Sequence, residues 1–336
     1  MIPHNRLTLG PLEQEAAQKV LASGWLAQGK EVQAFEDEVC AFLGLDSGHA
    51  VALSSGTAAL FVALKCLLPA GSSIALPAYV CSSLRNAVAM AGQREVLHDS
   101  QTTSPNLDLN QAQSADGAII AHMYGIPTDL GNQDHPMLIE DCAQAIGASV
   151  RGKKAGTFGR AGVFSFYSTK LITSGGQGGM VVSADADLIN QIRDYREFDC
   201  REDATPRFNF QMTDLQAAIG RVQLRRFPQF IQRREEIFQA YQAAGLNLLE
   251  PTSPDISPVR FRAILQHPDP ERIIAGLETQ QIRAINPLES WELLGKPADF
   301  PKAASYSQGF VSLPIYPSLT DDEQTQIIQR LQTLVS

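Results

Sequence analysis

The apolar residues of this chain fall into short runs separated by segments of helical period. Pro11–Ser23 opens on a proline and stops before Gly24, which predicts a helix. In Lys30–Leu43, Val32, Phe35, Val39 and Phe42 recur at three- and four-residue intervals and share one face of a second helix. Residues 49–53 then read as a strand, Ser54-Ser55-Gly56-Thr57 as a turn, and residues 58–68 as a helix. The alternation goes on with a strand at 74–76, a helix at 82–91, and strands at 95–98, 117–121 and 137–139. Strands spaced by helices or crossovers of this length predict an α/β fold, with a mostly parallel central sheet covered by helices on both faces. Further on, residues 213–227 form a helix capped by Thr213, and Pro228 is expected to interrupt it before a second helix to about residue 243. Residues 247–258 are rich in Pro, Ser and Asp, so a large domain over 1–245 is expected to give way to a smaller C-terminal α+β domain over 246–336. That second part alternates strand 259–265, helix 270–280, strand 312–315 and helix 320–334.

Chemistry concentrates between residues 137 and 183. The strand at 137–139 ends in Glu140 and Asp141, a Gly/Lys-rich turn covers 152–159, and a strand at 162–167 leads into Ser168-Thr169-Lys170. Gly175-Gly176-Gln177-Gly178-Gly179 and a strand at 180–183 follow. An acid at one strand's carboxyl end and a lysine just past the next meet in the crevice where an open α/β sheet binds ligands. That pair suits pyridoxal 5'-phosphate, whose aldehyde takes a lysine and whose ring nitrogen takes an acid. Partial burial would lower the lysine's pKa, as attack on a carbonyl at neutral pH requires. Two plainer readings stand beside this one: a solvated lysine at a strand end, and Asp141 as a helix N-cap for Ala143 onward. Alternation puts Glu140 and Asp141 on opposite sides, so only one faces the crevice. Ser54 to Thr57 is either a phosphate seat at a helix N-terminus or an ordinary cap. The glycine-rich run is neither a Walker A loop nor GxGxxG, and no metal is expected, because the six histidines show no ligand spacing.

Composition narrows the function classes. At 336 residues, 44% hydrophobic and 19% charged, the chain has material for a sizeable core. A formal charge of -9 disfavours nucleic acid or an anionic membrane as main partner. The five cysteines are scattered, with no CxxC pair, which reads as reduced thiols. Without a signal-like N-terminus or an apolar run of about 18 to 20 residues, the expectation is a cytoplasmic protein.

Several motifs, in order, resemble the DegT/DnrJ/EryC1/StrS family of sugar aminotransferases. They are Leu21 to Leu26 with Gly29 and Phe35-Glu36, Ser54 to Leu60, Ile139 to Gly147, Phe164 to Lys170, Gly178 to Met180, Asn209 to Gly220, and Leu313 to Tyr316. The resemblance implies a PLP-dependent transferase of fold type I, normally a homodimer with shared active sites. It also implies transfer of an amino group from an amino acid, glutamate above all, to a keto-sugar, most plausibly nucleotide-linked. Lys170 and Asp141 match its catalytic lysine and ring-nitrogen partner, and Gln144 matches the residue near the ring hydroxyl. Gly56, Thr57 and Ser165, with Ser55 beside them, match the phosphate contacts, and Asn209 matches one reaching in from the other subunit. Relatives that dehydrate sugars carry histidine at the lysine, so Lys170 points to transamination. The chain departs from the pattern at Gln211, where members often carry arginine, and at Cys81, where many stack an aromatic ring; Tyr79, two residues earlier, is the other candidate for stacking. The alternatives are an enzyme for another small keto or amino substrate, and a sugar-nucleotide sensor without catalysis.

Overall fold

The computed structural model describes residues 1–131 and 135–335. The alternation of buried and exposed positions resolves into a sheet of seven strands. These are β1 (Ala50–Leu53), β2 (Ser73–Pro77), β3 (Arg94–His98), β4 (Gly117–Ala121) and β5 (Leu138–Asp141), then, after a short hairpin of β6 (Ser149–Val150) and β7 (Lys153–Lys154), β8 (Ala161–Ser165) and β9 (Gly179–Val182). Their spatial order is β1-β9-β8-β5-β4-β2-β3. All pairs are parallel except those of β9, which runs against both β1 and β8. The register sets Ala121 beside Asp141, Asp141 beside Val163, and Gly179 beside both Ser165 and Leu53. The carboxyl ends of β1, β4, β5 and β8 therefore line up along one edge.

The helices are α1 (Pro11–Ser23), α2 (Lys30–Leu43), α3 (Gly56–Leu67), α4 (Ser83–Met90), α5 (Ala186–Arg196), α6 (Asp214–Ala243), α7 (Pro270–Glu278), α8 (Pro301–Gly309) and α9 (Asp321–Val335). Strand periodicity sorts the core. Val51, Leu53, Val163 and Val181 pack with α3, α4 and α5 on one face, while Ala50, Ala52, Phe164, Met180 and Val182 pack with α2 and α6 on the other. No described helix is long and apolar enough to cross a membrane.

The expected break at Pro228 does not occur: α6 is one helix of 30 residues, opened by a reciprocal cap between Thr213 and Gln216. Pro228 lies on the exposed face, whereas Phe227 and Phe230 are buried to either side, so packing carries the helix through the lost N–H bond. The end of α6 contributes Ile237, Phe238 and Tyr241 to a third core, with α7, α9 and the hairpin of β11 (Ala263–Gln266) and β12 (Phe310–Leu313). A two-residue strand β10 (Ile256–Ser257) adds to β6. Ile2 joins the same third core, exchanging backbone bonds with Gln281 and Arg283.

Candidate active site

At the carboxyl edge of the sheet lies a cavity of about 280 Å³. Ser55, Gly56, Thr57, Cys81, Asp141, Gln144, Ser165 and Lys170 all border it. The topology explains the gathering. The turn after β1 delivers residues 55–57, β5 ends in Asp141, β8 ends in Ser165, and Lys170 follows one short turn later, its N–H bonded to the Tyr167 carbonyl at 2.9 Å.

Lys170 is partly buried, and its Nζ stands 5.6 Å from the centre of the Phe261 ring. Burial lowers its pKa; Asp141 and Cys81 act in the opposite sense, and Arg262 adds to the lowering. Asp141 is 9% exposed, and its Oδ1 accepts the Ala143 N–H at 2.9 Å. Burial raises its pKa, while that N–H bond, Lys170 and His122 favour the anion. No helix follows Asp141: residues 143–147 form a turn, and the second carboxylate oxygen has no printed partner within the chain.

The neighbouring acid faces the other way, as strand alternation requires. Glu140 is wholly buried, with Oε1 accepting from the N–H groups of Phe158 (2.6 Å) and Gly159 (2.8 Å), and Oε2 from Gly156 N–H (2.8 Å) and His122 (3.0 Å). His122 accepts the Thr128 N–H on Nδ1 at 3.0 Å, so its proton sits on Nε2 and points at Glu140. His122, Glu140 and Cys142 lie close enough to suggest a metal site. The histidine and carboxylate acceptors are already filled, and burial drives the Cys142 thiol well above its ordinary pKa, so the cluster is a structural network.

The opposite wall is built for an anion. Ser55 caps α3, its Oγ accepting the Ala58 N–H at 3.1 Å, while the N–H groups of Gly56 and Thr57 have no intrahelical carbonyl to bond. A Cβ on Gly56 would come within 2.8 Å of Ser165 Cβ, and one on Gly179 within 2.2 Å of the Ser55 carbonyl oxygen. Glycine at both places lets this turn press onto the ends of β8 and β9. Gln144 accepts the Tyr124 N–H on Oε1 at 2.7 Å, leaving its amide nitrogen available to donate.

Two expected residues stand elsewhere. Tyr79 does not border the cavity: its ring is fully buried against Tyr124 and Tyr306, and its hydroxyl meets that of Tyr124 at 2.6 Å. The Ala78 N–H bonds to His98 and prolongs β2, which turns Tyr79 inward, and Cys81, exposed on the cavity wall, occupies the open position. Asn209 is exposed and away from the cavity of its own chain, with Oδ1 on the Gln211 N–H at 3.2 Å. Tyr167 and Gln177 also border the cavity, although sequence reasoning did not single them out. Their position inside the motifs flanking Lys170 was the available signal.

A family model described as the DegT/DnrJ/EryC1/StrS aminotransferase family matches residues 8–332. This chain belongs to that family. Over 379 aligned residues it is 31% identical to a dTDP-4-dehydro-2,3,6-trideoxy-D-glucose 4-aminotransferase of Saccharopolyspora spinosa, an alignment spanning 100% of this chain and 97% of that protein. It is 29% identical to a GDP-perosamine synthase of Vibrio cholerae over 359 residues, 97% of each. Among solved structures, the aminotransferase TlmJ from Streptoalloteichus hindustanus superposes with a TM-score of 0.91 at 26% identity, covering 99% of this chain and 98% of that one. Aminotransferases of this family depend on pyridoxal phosphate, and this chain is such an enzyme. Its cavity fits that cofactor: a lysine with a lowered pKa and a buried carboxylate border the same space, which ends at a helix N-terminus with unpaired N–H groups.

Proposed function

We propose that this aminotransferase moves an amino group from an amino acid, glutamate first, to a keto-sugar carried on a nucleotide. The observation that carries the reading is the joint placement of Lys170 and Asp141 on one cavity at the sheet's carboxyl edge. The activities printed for the similar Saccharopolyspora and Vibrio proteins support the sugar nucleotide as acceptor.

Each residue then has a task. The N–H groups of Gly56 and Thr57, the α3 dipole and Ser165 hold the phosphate, Ser55 shapes that turn, and Gln144 donates to the ring hydroxyl. Asp141 keeps the ring nitrogen protonated, and its buried position makes that ion pair stronger than it would be in water. Bound there, the cofactor supplies an electron sink for the carbon that carries the amine. Lys170 holds the cofactor's aldehyde at rest. When a donor amine displaces it, its freed Nζ carries a proton to and from the reacting carbon, with a pKa brought toward neutrality by burial.

The working unit in this reading is a homodimer in the cytoplasm. Trp25, Leu26, Tyr167 and Phe208 are exposed and apolar, and Asn209 is free to serve a neighbour's cavity. Absorbance spectra of the purified enzyme, before and after glutamate and then with a panel of keto-sugar nucleotides, test the proposal. Cofactor colour should change with the donor and return with the right acceptor. Lys170→Ala should abolish both the lysine-bound colour and turnover while the protein stays folded, and retained turnover in that variant ends the proposal.

A further inference from the structure

Most of the deeply set arginines in this protein have their charge answered. Arg196 is paired with Glu36, Arg260 with Glu235 and Glu250, and Arg207 with Asp194 and Asp203. Arg234 spends Nη1 on the carbonyls of Arg260, Phe261 and Ile315. Arg262 is different. It stands just before β11, deeply set yet with some surface still open. Its Nη1 reaches Ser312 Oγ and His4 Nε2, each at 3.1 Å. Nε and Nη2 have no hydrogen-bond partner among the described residues, and no carboxylate contributes to its electrostatic surroundings. His4 supplies no charge: burial and Arg262 push its pKa down to about 3, so it is a neutral acceptor.

The position of this cation matters as much as its lack of a partner. Arg262 Cζ lies 5.3 Å from the centre of the Phe261 ring, the ring that Lys170 Nζ approaches to 5.6 Å. A desolvated guanidinium without a counter-ion is costly, and a planar two-oxygen anion docked on its free edge would offset that cost. Carboxylate and phosphate both offer such oxygens. In an amino acid the carboxylate is attached to the very carbon whose proton Lys170 must handle, so its anchor has to stand beside the lysine. In a nucleotide-linked sugar the diphosphate is held off from a reacting ring carbon by the sugar itself. Proximity to Lys170 therefore favours the carboxylate.

We propose that Arg262 binds the carboxylate of the amino-acid donor and selects donors by that group. This rests on the aminotransferase reading above. Arg262 does not border the 280 Å³ cavity itself; the seat is the space next to Phe261, where a substituent on the reacting carbon projects.

The test uses cofactor-loaded wild type, Arg262→Gln, Arg262→Lys and Ser312→Ala. Calorimetry measures binding of glutarate, an unreactive dicarboxylate, and of dTDP as the diphosphate arm, and cofactor absorbance reports that each variant is folded and loaded. Glutarate affinity should fall at least tenfold in R262Q and recover in part in R262K, with dTDP affinity unchanged and the KM for glutamate rising more than kcat falls. Ser312→Ala, which loosens one anchor of the guanidinium, should give an intermediate loss and carries the test if R262Q does not fold. Unchanged glutarate binding in the variants overturns the proposal, and so does a selective loss of dTDP binding. If wild type accepts no amino group from any amino acid, the aminotransferase reading fails first. If wild type transfers normally and R262Q matches it, only the role of Arg262 is refuted.

Discussion

Glu140→Gln is the sharpest test of how the site is held, because it changes one buried oxygen to an amide nitrogen and almost no volume. The wild-type carboxylate accepts four hydrogen bonds, two on each oxygen, from Phe158, Gly159, Gly156 and His122. A glutamine keeps one oxygen, so at least two donors lose their acceptor and face an N–H group instead. Hydrogen bonds to a charged group contribute roughly 1.5–3 kcal/mol each, so the variant should lose about 3–6 kcal/mol. That is a large part of the ~5–15 kcal/mol that holds an ordinary domain together. The charge must be present for this to hold. Burial works against the anion, but His122 and the backbone N–H groups outweigh it and leave Glu140 below the ordinary glutamate value. A depressed carboxylate contributes stability that is complete above the unfolded-state pKa, about 4.3, and is lost as pH falls through the folded-state value. The deficit of Glu140→Gln should therefore be full at neutral pH and shrink in acid. Urea unfolding of the cofactor-free proteins at several pH values measures it. A neutral-pH loss below about 1 kcal/mol, or a loss that grows in acid, would show that this carboxylate is not the ionised hub of the turn at 156–159.

Three other outcomes follow from the same geometry. In cofactor-free protein, Asp141→Asn should be the more stable form near neutral pH, since burial raises the carboxyl's pKa and an asparagine oxygen still accepts the Ala143 N–H. The gain should be absent below about pH 3.9, rise through the folded-state pKa and then level off; thermal melts across pH check this, and a less stable variant at neutral pH contradicts it. Gly179→Ala places a methyl 2.2 Å from the Ser55 carbonyl, so the phosphate turn must move. Cofactor titration should show at least a tenfold weaker hold, on the order of 1.4 kcal/mol, and wild-type affinity would sink the assignment of that turn. Pro228→Ala restores a backbone donor in the middle of α6 and should raise the denaturant midpoint by up to roughly 3 kcal/mol of stability, while an unchanged midpoint would deny that the proline is a cost to the helix.

Much of the site was legible because it depends on local pattern. Strand alternation separated Asp141 from Glu140, and the run after β8 carried Lys170 to the sheet's edge. What stayed hidden depends on distant contacts. The interruption expected at Pro228 weighed one missing hydrogen bond without the packing of Phe227 and Phe230. Helix α8 went unread because Pro301–Gly309 buries only Ala303 and Ser307, too little for a helical stripe. Helix α5 was passed over although Asp185 caps it and Leu188, Ile189 and Ile192 turn inward, a signal that was present and missed. Tyr79 and Cys81 were rivals on paper, and only the bond from Ala78 to His98 decides which of them turns away. The lack of a counter-ion at Arg262 is a property of space rather than of sequence.

The length of α6 constrains how this enzyme can move. A continuous helix of 30 residues spans about 45 Å, and its two ends are rooted in different cores, near Ala217 and Leu224 at one end and Ile237 and Tyr241 at the other. A girder of that kind resists bending, so the C-terminal third cannot swing as a free lid over a bound sugar. Gating falls to shorter pieces around the mouth, such as the chain between α5 and α6, whose tip at residues 201–206 lies open to water. Engineering the acceptor range should begin with those pieces and leave the girder alone.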